Sequence, residues 1–404
     1  MSGVLFLLAS AVLTGDAGAD LRSACDTRSP LVTTLAAGTP VSLRFSISGD
    51  AGTCYKVSAA VDGQTVSGYV QAARLSGTDS WRAAVNAAPK ITTPTPVAAL
   101  TDAAPAVPAG PAPLIEATKL MKQQQPKAAL ALLERRVKSG SKDYDTLVMA
   151  GMAARAADEP RAALGYLQDS QKIREEAGVK RMLDEVRREV GGDASAERLY
   201  SNHFLLRYEG ATLDAETARG MLAVLEEEYA RVAGELQCRV DERISTIVQS
   251  PEAYRSSADA AEWSGGLFDG SRIRVPLARA GGFTASVRQT FTHEIVHACL
   301  GSLGSFPSWF HEGMAQYIAT GPSSPALEQK VRSLLRSGRI PRLVNMNQNW
   351  ARLSTEHAQN AYAHALVAAG KVYEMYAAGG IANLLRFPDH FPRIAAAIDA
   401  RLVE

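Results

Sequence analysis

Two histidines four residues apart mark the part of this chain whose residue types and spacing could do chemistry. His293 and His297 stand at the ends of the run HEIVH, and Glu294 follows the first of them. On a helix, positions i and i+4 lie on one face, so both imidazoles can bind a single zinc ion. The carboxylate of Glu294 can then reach a water on that ion. The spacing therefore predicts a zinc site with a general base beside it.

A second short motif supplies the third protein ligand that a catalytic zinc site requires. The run WFHEGMAQY spans Trp309–Tyr317 and follows a Gly/Ser/Pro break at Gly301–Ser308. Glu312, His311 and Glu328 are the candidates for this ligand. We favour Glu312 because it lies one turn into a new helix, whereas His311 faces another side of that helix and is expected to support the site or lie at the surface.

Regular elements must hold these two motifs together. No Gly or Pro interrupts the chain from Phe283 to Leu300, which favours a helix through both histidines. Periodicity on either side predicts one mixed α+β domain over residues 192–404. Its expected strands are His203–Tyr208, Ile244–Gln249 and Arg272–Leu277, and its further helices are Ala215–Leu236, Pro325–Ser337 and Ala358–Ala378. Within the last strand, Ile273–Val275 is expected to pair with an extended peptide along a sheet edge.

Three regions precede that domain. Residues 20–82 alternate apolar and polar residues between turn signals, which predicts a small all-β barrel. The runs TLAAGTPVSLRFS, CYKV and GYVQAARLSG resemble a bacterial SH3-like domain.

Residues 83–113 are dominated by Ala, Pro and Thr, which predicts an extended linker. In residues 114–191, Pro126–Leu133 recurs as Pro160–Leu167 at the 34-residue period of tetratricopeptide helix pairs. A plain helical array that only braces the next domain is the alternative for that last region.

The first nineteen residues predict a secretory signal peptide. Val4–Val12 is almost wholly apolar, and the run AGA that ends at Ala19 fits a small-x-small cleavage site. We therefore expect the chain to be exported, to the periplasm or beyond the cell. A buried strand is the alternative for this segment.

Cysteine count and charge narrow the remaining possibilities. Four cysteines suit an oxidising compartment, with Cys25 and Cys54 as the expected disulfide and with Cys238 and Cys299 either paired or free. The 43 basic and 42 acidic residues nearly cancel, so neither nucleic acid nor an anionic membrane is expected as the main partner. No later apolar stretch is long enough to predict a membrane span.

The two motifs together resemble a known family. TFTHEIVHACL followed by PSWFHEGMAQY is similar to the gluzincins, the thermolysin-clan zinc peptidases, and in particular to their bacterial aminopeptidase-like (peptidase MA-like) subgroup. The resemblance extends over most of Ser201–Leu385. It implies a zincin-like fold and Zn²⁺ on His293, His297 and Glu312, with Glu294 as the catalytic acid and base. It also implies that Tyr362 donates to the oxyanion. A packing role is the alternative for Tyr362, and His364 and His357 are weaker candidates for the donor.

The sequence thus predicts a multidomain, exported zinc metallopeptidase that hydrolyses peptide or protein substrates. The expected fold class joins the SH3-like barrel, tetratricopeptide-like hairpins and an α+β zincin-like domain. A non-catalytic binding protein is the main alternative, with the N-terminal modules recruiting a cell-envelope partner. A hydrolase of non-peptide amides would share the same zinc site. A Glu294 substitution separates the first two hypotheses, because it should abolish turnover and leave binding intact.

Overall fold

The structure is a computed structural model. It describes residues 10–13, 18–49, 52–61, 63–79, 81, 112–193, 196–257, 266–268, 271–277, 284–346, 350 and 353–404. The chain divides into two compact units. One comprises residues 1–106, 198–202 and 214–226, and the other comprises residues 107–197, 203–213 and 227–404. The two motifs that contain His293, His297 and Glu312 belong to the second unit.

Antiparallel strands with alternating burial build the first unit. Leu21, Tyr55 and Val57 point into its apolar core, and the Cys25–Cys54 disulfide closes a loop beside it, with 5.9 Å between the two Cα atoms. This pairing is the one expected from the sequence. The strands are β1 (Ser10–Leu13), β2 (Ala19–Arg22), β3 (Leu31–Leu35), β4 (Pro40–Gly49), β5 (Gly52–Val61), β6 (Gln64–Gln71) and β7 (Leu75–Ser76).

A row of antiparallel helices begins the second unit. Each copy of the repeated sequence run starts a helix, with Pro126 and Pro160 at a first-turn position, where a missing N–H costs no hydrogen bond. Gly151 lets two helices approach closely, since a Cβ there would lie 2.6 Å from Cγ of Leu167. The helices are α1 (Ala112–Lys122), α2 (Pro126–Lys138), α3 (Tyr144–Ala156), α4 (Pro160–Ile173) and α5 (Ala177–Asp193).

Short parallel strands form the centre of the second unit. The strands are β9 (Phe204–Glu209), β10 (Ile244–Gln249), β11 (Leu267–Phe268) and β12 (Arg272–Pro276). Strand β8 (Ala196–Ser201) precedes them and belongs mostly to the first unit. Strand β10 runs parallel to both β9 and β12, whereas β11 pairs antiparallel with β12 at the edge of the sheet. Every residue of β10 is buried, as expected of a central parallel strand.

Helices carry the chemistry of the second unit. They are the second part of α6 (Ala215–Leu236), which belongs to this unit from residue 227 onward, together with α7 (Pro251–Ser257), α8 (Ala285–Leu303), α9 (Ser308–Thr320), α10 (Pro325–Arg336), α11 (Thr355–Leu384) and α12 (Phe391–Val403). The periodicity of the sequence predicts α6 and β10 with these bounds. No helix among the described residues is both long and apolar enough to cross a bilayer.

The expected fold class is wrong, because the described residues form no separate SH3-like barrel. The strands form one mixed sheet in the order β11-β12-β10-β9-β8-β4-β5-β6-β2-β3, so the protein is a mixed α/β structure. The far end of β4 does not close onto a barrel partner; Ile47 and Ser48 pair instead with Ser201 and Tyr200 of β8. Alternation in residues 20–82 predicts strands, but it carries no information about a partner more than a hundred residues away.

Two of the N-terminal expectations fall largely outside the described residues. Residues 1–9 and 14–17 of the expected signal peptide and residues 82–111, which hold nearly all of the expected linker, are not described. Within the signal segment, the strand Ser10–Leu13 pairs with β4 and β7. Export of the chain therefore stays a prediction.

Candidate metal centre

Helix α8 presents two imidazoles side by side. The hydroxyl of Thr284 accepts the backbone N–H of Val287 and starts the helix, which then runs without Gly or Pro through both histidines. Nε2 of His293 lies 3.1 Å from Nε2 of His297. The i, i+4 spacing therefore turns both ring nitrogens toward one point, as the sequence predicts.

The third donor of the centre comes from helix α9. The chain leaves α8 at Gly304 and re-enters a helix after Pro307, which places Glu312 opposite the histidines. Oε2 of Glu312 lies 3.4 Å from Nε2 of His293 and 3.5 Å from Nε2 of His297. Among the described residues, this is the one group of His, Cys, Asp and Glu side chains whose donor atoms converge for a metal ion.

The geometry of these three donors fits a metal ion better than it fits hydrogen bonding. Oε2 of Glu312 is buried, and no described residue makes a well-aligned hydrogen bond to it. Zinc bonds of ~2.0–2.1 Å in a tetrahedral site separate neighbouring donors by about 3.3 Å. The observed 3.1, 3.4 and 3.5 Å match that separation. Two imidazoles and a carboxylate suit Zn²⁺, although they also bind other divalent transition metals.

The charges of the three donors depend on one another. Burial alone would raise the pKa of Glu312, but the two imidazoles outweigh it and hold that pKa well below its usual range. Burial would likewise lower the pKa of His297, but the carboxylates of Glu312 and Glu294 raise it. A divalent cation bound here would favour the ionised carboxylate and the neutral imidazoles.

Glu294 faces the same centre and is more deeply buried than the three donors. Its side chain is 4% exposed, and burial raises the pKa of its carboxyl group above the usual range. The backbone N–H of Phe268, on the edge strand β11, donates to this carboxylate. Gly266 allows the close approach, because a Cβ there would lie 2.5 Å from Cγ2 of Thr290 and 3.0 Å from Oε1 of Glu294. The edge strand thus fixes the orientation of Glu294.

Helix α11 is drawn against α9 directly beside the third donor. A Cβ on Gly313 would lie 2.3 Å from the carbonyl oxygen of Ala365, so only glycine permits this contact. The amide of Gln316 donates to the carbonyl oxygens of Glu312 and Tyr362, at 3.1 and 3.0 Å. These contacts explain the glycine and glutamine of the second motif, and they fix Tyr362 relative to Glu312.

Tyr362 both packs and faces the centre. Its ring meets Trp350 edge to face, with the ring centroids 5.1 Å apart. Burial, followed by the nearby carboxylates of Glu312 and Glu294, raises the pKa of its hydroxyl far above the usual range, so the hydroxyl keeps its proton. Tyr362, His293 and Glu294 line one open cleft of about 240 Å³. The structure therefore brings the resemblance-based candidate to the site.

The other side chains weighed from the sequence lie elsewhere or play a different part. His311 stacks on His297, with 5.8 Å between ring centroids, and burial lowers its pKa to about 4. Glu328 binds Arg332 at 2.8 Å and has no place at the centre. His364 is fully buried 3.6 Å from Asp399, and His357 is exposed beside Ser354.

The expected edge pairing of Ile273–Val275 is wrong. Strand β12 lies between β11 and β10, and Ile273 and Arg274 are already paired with residues on both sides. The two-residue strand β11, which the sequence shows only as part of a Gly-rich turn, takes the edge position next to Glu294. Its glycines were the available signal, since close backbone approach favours Gly.

No family model, curated protein or solved structure matches this chain. The likeness to gluzincins therefore depends on the two motifs and on the geometry they adopt.

Proposed function

We propose that this chain is a zinc-dependent peptidase of the gluzincin type. The observation that supports this proposal best is that the three converging donors adjoin an open cleft. His293, Glu294 and Tyr362 line that cleft, and the donor atoms of His297 and Glu312 lie 3.1 and 3.4 Å from Nε2 of His293. A purely structural zinc site would be closed by four protein ligands, whereas three ligands beside an open cleft leave room for water and substrate.

His293, His297 and Glu312 would hold the zinc ion. When bound, zinc makes water more acidic and polarises a carbonyl group. The two imidazoles must be neutral and the carboxylate ionised to serve as ligands. Residues of the chain itself supply the remaining functions, which are proton transfer and stabilisation of the negative charge on the substrate oxygen.

Glu294 would transfer the proton. Its carboxylate takes a proton from the attacking water and delivers it to the nitrogen of the leaving amine, as one group acting first as base and then as acid. Burial makes the carboxylate a stronger base than it is in water, because the charged form is poorly solvated there. The N–H of Phe268 keeps the carboxylate directed toward the cleft.

Tyr362 would stabilise the oxyanion that develops on the carbonyl oxygen of the substrate. Its hydroxyl is protonated, so it can donate a hydrogen bond. Its position is set by Gln316, which binds the backbone of Tyr362, and by Trp350, which packs against its ring. A fixed donor of this kind costs no rearrangement when the charge develops.

Substitution of Glu294 by Gln tests the proposal. The change keeps shape and hydrogen bonding but removes the base, so zinc should stay bound while peptide hydrolysis falls by ~10²–10⁴-fold. The readout is digestion of a peptide library, with and without a chelator, beside zinc analysis of the same sample. Glu328→Gln makes the same chemical change at an ion pair outside the cleft and should keep full activity. Equal activity of Glu294→Gln and the wild type would refute the proposal.

A further inference from the structure

Three charged side chains lie on one face of helix α6, at a spacing of about one turn. They are Glu228, Arg231 and Glu235, and we call them the α6 ladder. Residues three and four apart on a helix are neighbours, so the three form one continuous row. The ladder lies outside the cleft and contains none of the metal donors.

Glu228 binds the helix that carries the two histidines. One carboxylate oxygen accepts Nε–H of Arg288 at 2.7 Å, and the other accepts the hydroxyl of Thr292 at 2.9 Å. Thr292 immediately precedes His293 in α8. Glu228 is 4% exposed, and although burial would raise the pKa of its carboxyl group, its hydrogen bonds to Arg231, Arg288 and Thr292 lower that pKa. The carboxylate therefore stays charged and holds the turn of α8 next to the first ligand.

Arg231 connects the same carboxylate to the helix that carries the third ligand. Two of its N–H groups donate to Oε2 of Glu228, at 2.7 and 3.0 Å. The Nη2 atom also lies 3.4 Å from the carbonyl oxygen of Ile318, to which it donates. Ile318 belongs to α9, the helix of Glu312. One ion pair on α6 thus contacts both ligand helices.

Glu235 extends the ladder to the helix of Tyr362. It accepts a hydrogen bond from the hydroxyl of Tyr373 on α11, and Arg231 lies 3.9 Å from it. The ring of Tyr373 stacks on Tyr317 of α9, with the centroids 4.2 Å apart. The ladder therefore contacts all three helices that supply side chains to the cleft.

We propose that Glu228 is a positioning residue of the metal centre. Acting through Thr292, Arg288 and Arg231, it fixes the distance between the imidazoles on α8 and the carboxylate on α9. This proposal rests on the zinc site of the proposed function, but it concerns how the site is assembled. A zinc site tolerates little change in donor separation, and loss of an outer partner of this kind typically weakens metal binding ~10–100-fold.

The test compares zinc affinity with stability in matched variants. Glu228→Gln keeps the size of the side chain and removes its charge. Its affinity for Zn²⁺, measured in competition with a chromophoric chelator, should fall about 10–100-fold relative to the wild type. Glu189→Gln is the control, because it removes a buried charge of the same kind that lies away from the centre and binds three arginines. It should lower the melting temperature of the zinc-free protein and leave zinc affinity unchanged.

A milder variant covers the case in which Glu228→Gln folds poorly. Thr292→Val removes only the hydroxyl that binds Glu228, and it should weaken zinc binding by a smaller factor. Combined with Glu228→Gln it should add little, because both changes break the same contact.

Wild-type zinc affinity in both Glu228→Gln and Thr292→Val would overturn the proposal. So would a loss of affinity in Glu189→Gln as large as that in Glu228→Gln, since that would show a general effect of stability. If the wild-type chain itself binds no zinc, the proposed function fails together with this inference. If the wild type binds zinc and Glu228→Gln binds it equally well, only this inference fails.

Discussion

Two buried carboxylates of the second unit are held in opposite ways. Glu189 on α5 binds Arg155, Arg272 and Arg274 through hydrogen bonds of 2.6 to 3.0 Å, so both of its oxygens are satisfied. Glu312 on α9 faces two imidazoles, and its buried Oε2 has no well-aligned donor among the described residues. Burial would raise the pKa of each carboxyl group, but the arginines around Glu189 and the imidazoles beside Glu312 outweigh it, so each pKa lies below its usual range, for Glu189 at about 2.

This difference distinguishes a buried carboxylate that only stabilises the fold from one that can bind a ligand. A carboxylate whose acceptor sites are all filled stabilises the packing of α5 on β12 and offers nothing to a ligand. A buried carboxylate oxygen that faces two imidazoles at 3.4 and 3.5 Å, without a well-aligned donor among the described residues, is instead placed to share a cation with them. A low carboxyl pKa is common to both and does not distinguish them; the completeness of hydrogen bonding does.

The largest effect on stability is expected from the removal of Glu189, whose two carboxylate oxygens both accept hydrogen bonds. Glu189→Ala would remove a carboxylate that binds two almost fully buried arginines, Arg272 and Arg274. Breaking a buried pair by removing one partner costs ~3–5 kcal/mol in the free energy of unfolding. Urea denaturation of the zinc-free protein measures this cost. A loss below about 1 kcal/mol, the value of a surface ion pair, would show that Glu189 does not stabilise the fold as a buried ion pair.

A somewhat smaller effect is expected at Tyr362, which lines the cleft beside the metal donors. Tyr362→Phe removes one hydroxyl and keeps the ring against Trp350, so stability and zinc content should hardly change. If the hydroxyl donates to the oxyanion, kcat should fall by ~10²–10³-fold with little change in KM. Steady-state kinetics on a cleaved peptide measures both constants. Unchanged kcat would leave Tyr362 with its packing role alone.

The fold could be predicted from the sequence only as far as local patterns reach. Periodicity gives α6 as Ala215–Leu236, because burial on one face recurs every few residues, and a short run rich in β-branched residues gives β10 as Ile244–Gln249. It does not give the pairing of Ile47 with Ser201, which merges the expected barrel into a larger sheet. Strand pairing depends on contacts between distant residues, and no local pattern encodes them.

The residues of the candidate site likewise fall into those that local sequence patterns predict and those that they do not. Spacing within one helix predicts His293 and His297, and a second motif predicts Glu312, so the three donors are found without a structure. The α6 ladder is not found, because Glu228 contacts Thr292 across 64 residues and looks like an ordinary surface charge in the sequence. The roles of Glu294 and Tyr362 in catalysis stay predictions until the variants are measured.

The smallest effect is expected at another buried pair of side chains, His364 and Asp399. Nε2 of His364 lies 3.6 Å from Oδ1 of Asp399. Burial lowers the pKa of His364 from 6.5 to about 4, so the unfolded chain binds this proton first as the pH falls. Stability should therefore be lost between pH 6.5 and 4, by up to about 3 kcal/mol, at 1.36 kcal/mol per pKa unit. Burial raises the pKa of Asp399, which offsets part of this loss as that carboxyl group takes up a proton.

Denaturation across this pH range, in the wild type and in His364→Gln, isolates that contribution. The titration of the metal-centre histidines is common to both proteins and cancels in the difference. The wild type should lose more stability than the variant as the pH falls from 6.5 to 4. Parallel pH profiles would show that His364 is protonated or solvated in the folded protein.

Zinc stoichiometry tests the central claim most directly. The wild-type chain, purified, equilibrated with a small excess of Zn²⁺ and then freed of unbound metal, should retain about one zinc ion per chain by elemental analysis. The double variant His293→Ala/His297→Ala should retain none, and Glu189→Gln should retain as much as the wild type. A double-histidine variant that keeps its metal, or a wild-type chain that binds none, would contradict the account.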